Sequence, residues 1–143
     1  MAQRESETVD GRGEVDLREF KLMLDSITDL YLTSRVLILM DNTYMTRFWT
    51  TMEAWCSMMT STPNGVRTAL DNEERYTIEC IHNADAEFMV PYLKKKLGSL
   101  TPAQVANFLA SPDVAVSNAK DKHTILPIVR KTNEHVRDVL SRA

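Results

Sequence analysis

Residues 36–40 read Val-Leu-Ile-Leu-Met, and after a short turn residues 47–55 read Arg-Phe-Trp-Thr-Thr-Met-Glu-Ala-Trp. The first stretch is apolar throughout, which is typical of a strand buried on both faces of a parallel sheet. The second stretch predicts a helix with a core-facing stripe formed by Phe48, Met52, Trp55 and Met59. A buried strand that leads into a helix in this way indicates an α/β fold.

The rest of the chain continues this alternation of helices and strands. The predicted elements are a helix over 16–32, the strand 36–40, a helix from Thr43 or Thr46 to about Thr60, a polar connection over 66–75, a strand over 76–81, a helix to about Leu97, a helix over 101–110, a short strand over 114–116 and a helix over 121–142. Pro91 and Pro127 are expected to kink or interrupt their helices. Only two or three strands are expected, and such a small sheet leaves unpaired backbone groups at its edges.

Length and composition bound the class of protein. The 143 residues suffice for one domain, which we expect over 14–143, while the polar and charged residues 1–13 are expected to form a flexible arm. The formal net charge of −3 gives no basic footprint, so nucleic-acid binding is not indicated. No stretch approaches the roughly 20 apolar residues of a membrane span, so no transmembrane segment is expected.

The cysteines and histidines give no metal-binding pattern. Cys56 and Cys80 lie on predicted core elements, and two buried thiols favour an intracellular reducing compartment. An organelle remains open if a transit peptide has been removed. The three histidines are far apart and no Cys/His cluster has metal-ligand spacing, so no metal site is predicted.

Five residues are candidates for ligand or partner binding. Glu53 is a carboxylate among aromatic residues just past a strand, where α/β folds hold ligands, and it is the candidate for a catalytic group if the chain is an enzyme. The structural alternative is a first-turn glutamate stabilised by the helix dipole and Arg47. Trp49 lies nearly alongside Glu53 and Asp41 ends the strand, whereas Met45 and Met58 hint at an apolar surface patch.

Residues 20–55 resemble the C-terminal half of a Toll/interleukin-1 receptor (TIR) domain. In that family a helix leads into a buried strand, and the next helix begins with a motif of the type S-x-W-C-x-x-E. Here Trp49, Thr50 and Glu53 keep the W-C-x-x-E spacing, with threonine in place of cysteine. The chain also resembles uncharacterised TIR-like proteins of algae and other protists that carry an R-F-W-T-x-x-E-A-W block.

The resemblance implies a truncated flavodoxin/TIR-like three-layer fold, with a small parallel sheet of two or three strands and five or six helices. In TIR enzymes the motif glutamate acts in cleavage of the nicotinamide–ribose bond of NAD, and this role would fall on Glu53. The first strand of such domains and the phosphate- and ribose-facing loops have no counterpart here. We therefore expect no cofactor, with NAD as the ligand only if the chain is an enzyme.

These observations predict a non-enzymatic protein–protein interaction module, an accessory or scaffold subunit of a larger assembly. An apolar strand in so small a sheet should be covered by a protein partner or by a second copy in a homo-oligomer. Two alternatives stay open. The first is a NAD-hydrolysing or nucleotide-binding enzyme that uses Glu53, and the second is an accessory subunit that binds pigment or lipid.

Overall fold

The computed structural model describes residues 13–142, so the predicted arm over 1–13 lies outside the described residues except for Gly13. Within that range the chain forms seven α-helices and four β-strands. The helices are α1 Glu14–Asp25, α2 Ile27–Thr33, α3 Phe48–Ser57, α4 Ala86–Gly98, α5 Pro102–Ala110, α6 Ala119–Arg130 and α7 Thr132–Ser141. The strands are β1 Val36–Met40, β2 Met59–Thr62, β3 Gly65–Thr68 and β4 Tyr76–Cys80. The predicted α/β class is confirmed.

Strands β1 and β4 pair in parallel and form a two-stranded sheet. The register runs from Val36 opposite Tyr76 to Met40 opposite Cys80. Both strands were predicted from their apolar and β-branched residues. Because the pair is parallel, the carboxyl ends of both strands lie at the same end of the sheet. Asp41 and His82 follow the strands there.

The prediction that β1 is buried on both faces is wrong. Val36, Ile38 and Met40 are buried, but Leu37 is 61% exposed and Leu39 is 48% exposed. The buried face packs against α3, whereas no described element covers the other face. An unbroken apolar run is thus compatible with a strand whose second face is open, and the run alone does not distinguish the two arrangements.

Helix α3 forms the centre of the core. Phe48, Met52 and Trp55 are buried, and Trp55 Nε1 donates a hydrogen bond of 2.9 Å to the carbonyl of Leu100. The predicted core position of Trp55 is confirmed. The helix ends at Ser57 rather than near Thr60, because the chain turns there into the β2–β3 hairpin.

This hairpin replaces part of the predicted polar connection. Strands β2 and β3 pair antiparallel with Thr62 opposite Gly65, around the loop residues Pro63 and Asn64. Gly65 has a φ of 121°, a conformation that favours glycine. The sequence Thr62-Pro63-Asn64-Gly65 predicts a break, but the flanking residues are too polar to be recognised as strands by hydrophobic pattern.

Several helix boundaries also differ from the prediction. The first predicted helix is divided at Ser26 into α1 and α2. Pro91 lies inside a continuous α4, and the C-terminal helix breaks at Lys131 rather than at Pro127. The predicted strand over 114–116 is reduced to a single bridge between Ala115 and Arg47.

Candidate functional site

The outer edge of β1 carries free backbone groups. Val36 N donates to Arg75 O at 2.8 Å and Ile81 N donates to Met40 O at 2.9 Å, so the even-numbered residues of β1 bond towards β4. The N–H and C=O groups of Leu37 and Leu39 therefore point to the opposite edge. Within the described chain no strand pairs with that edge and no backbone group bonds to Leu37 or Leu39.

The side chains along this edge are apolar. Leu37 and Leu39 project from the exposed face of β1, beside Thr77 and Glu79, their register partners on β4. Natural sheet edges are commonly protected by lysine, proline or a bulge, and β1 has none of these. We call Leu37, Leu39 and their outward backbone groups the open edge.

Asp41 organises the turn that follows β1. Its Oδ1 accepts hydrogen bonds of 2.9 Å from both the N–H and the hydroxyl of Thr43, and one of 3.2 Å from Nη2 of Arg47. The Thr43 hydroxyl, together with the Thr43 N–H and the cation of Arg47, lowers the pKa of Asp41. Asp41, a predicted binding candidate, is therefore ionised. One of its two carboxylate oxygens already stabilises the turn that follows β1.

A strained turn lies at the neighbouring end of β4. His82 and Asn83 have φ values of 53° and 64°, in the left-handed region that costs most residues free energy. His82 is close enough to Asp41 to contribute to the lowered pKa of that carboxyl. The polar groups at the two strand ends therefore lie near each other, because the strands are parallel.

A cavity of about 380 Å³ opens at the carboxyl end of β1, between α4 and α5. Its walls include methionine and aromatic side chains, with charged groups from Asp41, Lys96 and Asp113. The lining residues are Met40, Asp41, Asn42, Met45, Thr46, Met89, Tyr92, Lys96, Phe108, Ser111, Asp113 and Val114. Two predicted candidates, Asp41 and Met45, thus come together here.

Glu53 lies elsewhere, on the side of α3 that approaches α2. The carboxyl is half-buried, and burial raises its pKa. Its charge contributes, after burial, to the raised pKa of Tyr31 and Tyr44, so these phenols are close to it. Among residues 13–142 no hydrogen bond or ion pair reaches the carboxyl of Glu53, and this side chain does not line the cavity that contains Asp41.

Trp49 is held by contacts within the chain. Its Nε1 donates a hydrogen bond of 3.3 Å to Oδ2 of Asp121, and its ring meets that of Phe48 edge-on at 5.4 Å. The half-buried ring lines a separate cavity beside Ala115. Trp49 therefore contacts α6 and does not share a cavity with Asp41.

The expected surface patch of Met45 and Met58 is not formed. Met58 is only 2% exposed, because α3 ends at Ser57 and the chain then turns inward to β2. Met59 is also 2% exposed, so both methionines belong to the core. Leu37 and Leu39, which were predicted to be buried on β1, are instead among the exposed apolar side chains.

Comparison with family models, curated proteins and solved structures finds no match for this chain. Among residues 13–142 there is no helix with the length and apolar character to cross a membrane. The candidate site is therefore defined by geometry, as the open edge of β1 and the cavity at its carboxyl end.

Proposed function

We propose that this protein is a protein–protein interaction module, an accessory or scaffold subunit whose sheet is extended by a strand from a partner. The observation that carries this proposal is the open edge, where free backbone groups and exposed leucine side chains occur at the same residues. Strand addition uses both features, because main-chain hydrogen bonds give affinity and alternate side chains give specificity. The motif resemblance supports the further proposal that the fold derives from a TIR-like ancestor.

The energetics favour a partner that contributes apolar side chains of its own. Burying a leucine side chain completely stabilises a complex by roughly 1.5–3 kcal/mol. Leu37 and Leu39 are only partly exposed, at 61% and 48%, so their contribution is smaller than that of two fully exposed leucines. The backbone bonds add a net stabilisation of only about 0.5–1.5 kcal/mol each. A partner strand must therefore provide matching apolar contacts to bind stably.

The enzyme alternative needs Glu53, Trp49 and Asp41 at one site. Asp41 and Trp49 line different cavities, and Glu53 lines neither of them. This separation supports the interaction module over NAD hydrolysis. Release of nicotinamide from NAD by the purified protein, abolished in Glu53→Gln, would instead support the enzyme.

A photo-cross-linking amino acid in place of Leu37 tests the proposal in extracts of the cells that make the protein. We expect an adduct heavier than the monomer, and we expect Leu39→Pro to abolish it, because proline removes an outward N–H while the bonds to β4 remain. Leu39→Val keeps both the N–H and the apolar side chain, so it should retain the adduct. Leu39→Lys, which is compatible with an exposed position, should weaken it.

The matched control carries the cross-linker at Leu70, which is 60% exposed but lies outside the sheet. An adduct that forms equally well from Leu37 and Leu70, or that persists in Leu39→Pro with unchanged circular dichroism, would contradict strand addition at β1. The absence of any adduct from Leu37 would contradict it as well.

A further inference from the structure

We infer that the partner strand is β1 of a second copy, paired antiparallel about a two-fold axis that passes midway between Ile38 of one copy and Ile38 of the other. This inference rests on the proposed function of the open edge and names its partner. A closed dimer with two-fold symmetry requires identical strands to pair antiparallel. The two small sheets would then join as one sheet of strand order β4-β1-β1-β4.

The backbone of β1 fits this register. In an antiparallel pair centred on Ile38, Leu37 lies opposite Leu39 of the second copy, and Leu39 lies opposite its Leu37. The residues whose N–H and C=O groups point outward are Leu37 and Leu39. Both symmetric pairs are therefore hydrogen-bonded pairs, each of which exchanges two N–H···O bonds. No outward backbone group of the strand is left unpaired.

The side chains in this register are also complementary. The axis is perpendicular to the sheet, so the leucine side chains of both copies lie on the same face. Directly opposite residues of an antiparallel pair have Cβ atoms about 4.5–5.5 Å apart, so each leucine partly covers one of the other copy. Apolar side chains thus face apolar side chains along the length of the strand.

Charges at the two ends of β1 complete the match. Arg35 precedes the strand and Asp41 follows it, and the same register brings Arg35 opposite Asp41 of the second copy at both ends. Arg35 is exposed and has no ion-pair partner among residues 13–142. The bonds from Thr43 and Arg47 all reach Oδ1 of Asp41, which leaves Oδ2 for the incoming guanidinium. This opposite-charge pairing favours a second copy over an unrelated apolar strand.

Disulfide trapping of the purified full chain tests the register. Leu37→Cys and Leu39→Cys are prepared separately, each with Cys80→Ser because Cys80 is a half-buried free thiol. Opposite residues of a hydrogen-bonded pair have Cα atoms about 5.5 Å apart, within the range of a disulfide. Residues with the same number lie diagonally, at about 7–8 Å, which is too far. We expect an equimolar mixture to oxidise to a covalent dimer at least several-fold more than either variant alone.

Equal trapping in the mixture and in the separate variants would overturn the register. A protein that sediments as a dimer but gives no trapped product in the mixture would place the interface elsewhere and overturn the inference as well.

A charge-reversal experiment tests the predicted pairing of Arg35 with Asp41. Arg35→Glu should raise the dissociation constant of the dimer about tenfold, since it replaces two attractive pairs by two repulsive ones. Arg18→Glu, the same charge change on exposed α1, should leave it unchanged.

The two proposals fail in different ways. If the purified chain stays a monomer into the millimolar range, while Leu37 still cross-links to another protein in a manner that depends on the outward N–H of Leu39, the second copy is wrong and the interaction module stands. If neither self-association nor a cross-link is found, both are wrong. Dimer formation with the expected disulfide pattern supports both.

Discussion

Nη2 of Arg75 donates a hydrogen bond of 2.8 Å to the main-chain carbonyl of Met59, the first residue of β2. The same guanidinium donates to the carbonyls of Tyr31, Ser34 and Cys56, at 3.1, 2.7 and 3.1 Å. It therefore joins the carboxyl ends of α2 and α3 to the hairpin, one residue before β4 begins. Burial lowers the pKa of Arg75, but the group stays charged at neutral pH.

Replacement of Arg75 should destabilise the fold strongly. Arg75→Met removes four charge-assisted donors from main-chain carbonyls, so we expect a loss of about 2–4 kcal/mol in the free energy of unfolding. Arg75→Lys should recover only part of this, because an ammonium cannot reproduce the planar fork. Urea unfolding measures both. Arg130→Met, which loses one exposed bond to Asn107, should cost about 0.5 kcal/mol or less, and an equal effect at both sites would refute the role of Arg75.

Two glycines should respond to alanine in opposite directions. At Gly65, with a φ of 121°, a Cβ would lie 2.6 Å from Oδ1 of Asn133, whose side chain also accepts a bond of 2.8 Å from Val66 N. Gly65→Ala should therefore lower stability by about 2 kcal/mol or more. At Gly98, in α4, the nearest atom would be 3.9 Å away. Gly98→Ala should raise stability by about 0.5–1 kcal/mol, since alanine is the better helix former. Thermal melting of Gly65→Ala and Gly98→Ala beside the parent protein measures both changes in stability.

Glu53→Gln should raise the melting temperature at neutral pH. Burial raises the pKa of Glu53 in the folded protein, so its proton is held more tightly than in the unfolded chain. Protonation of Glu53 therefore contributes to the stability of the fold. This contribution is fully present below the pKa of Glu53 in the unfolded chain and is lost as pH rises through its pKa in the folded protein. The advantage of the variant should consequently be larger at pH 7 than at pH 4. A variant less stable than the parent at pH 7 would indicate that the charged carboxylate has a favourable partner.

The carboxyl of Glu73 should titrate far below its usual range. Two bonds from Arg67, of 2.7 and 2.9 Å, and a third of 2.9 Å from Leu70 N lower the pKa of Glu73 to about 2. Its contribution to stability is present above the unfolded carboxyl pKa and is lost as pH falls towards about 2. The carboxyl carbon chemical shift follows this titration, and Arg67→Gln should raise the midpoint. A midpoint near that of an ordinary glutamate in the parent protein would show that the Arg67 pair does not form in solution.

The sequence predicted those features that depend on local pattern. The runs at Val36–Met40 and Tyr76–Cys80, and the start of α5 at Thr101 and Pro102, identify elements because short-range chemistry determines them. Tertiary packing decided the rest. Leu37 and Leu39 are residue types typical of a buried strand. They are exposed because no element among the described residues covers their face of β1. Met58 was predicted for an apolar surface patch, but the helix ends at Ser57, one residue before it, and Met58 is buried.

The candidate site was predictable only in part. Asp41 was found because a carboxylate after a strand end tends to line a crevice. Met45 was predicted for a surface patch with Met58, and it lines the cavity beside Asp41 instead. Trp49 and Glu53 are neighbours in sequence, yet Trp49 binds Asp121 on α6, a contact 72 residues away in the chain. Pairings of that range leave no periodic signal in the sequence.

Amide hydrogen exchange of residues 37–40 tests the open edge most directly. In the dilute protein the amides of Ile38 and Met40, which point to β4, should exchange slowly, whereas those of Leu37 and Leu39 should exchange rapidly. In the assembly formed at high concentration, we expect the amides of Leu37 and Leu39 to become as protected as their neighbours. Rapid exchange of Leu37 and Leu39 in the assembled state, or strong protection of both in the dilute monomer, would contradict the account.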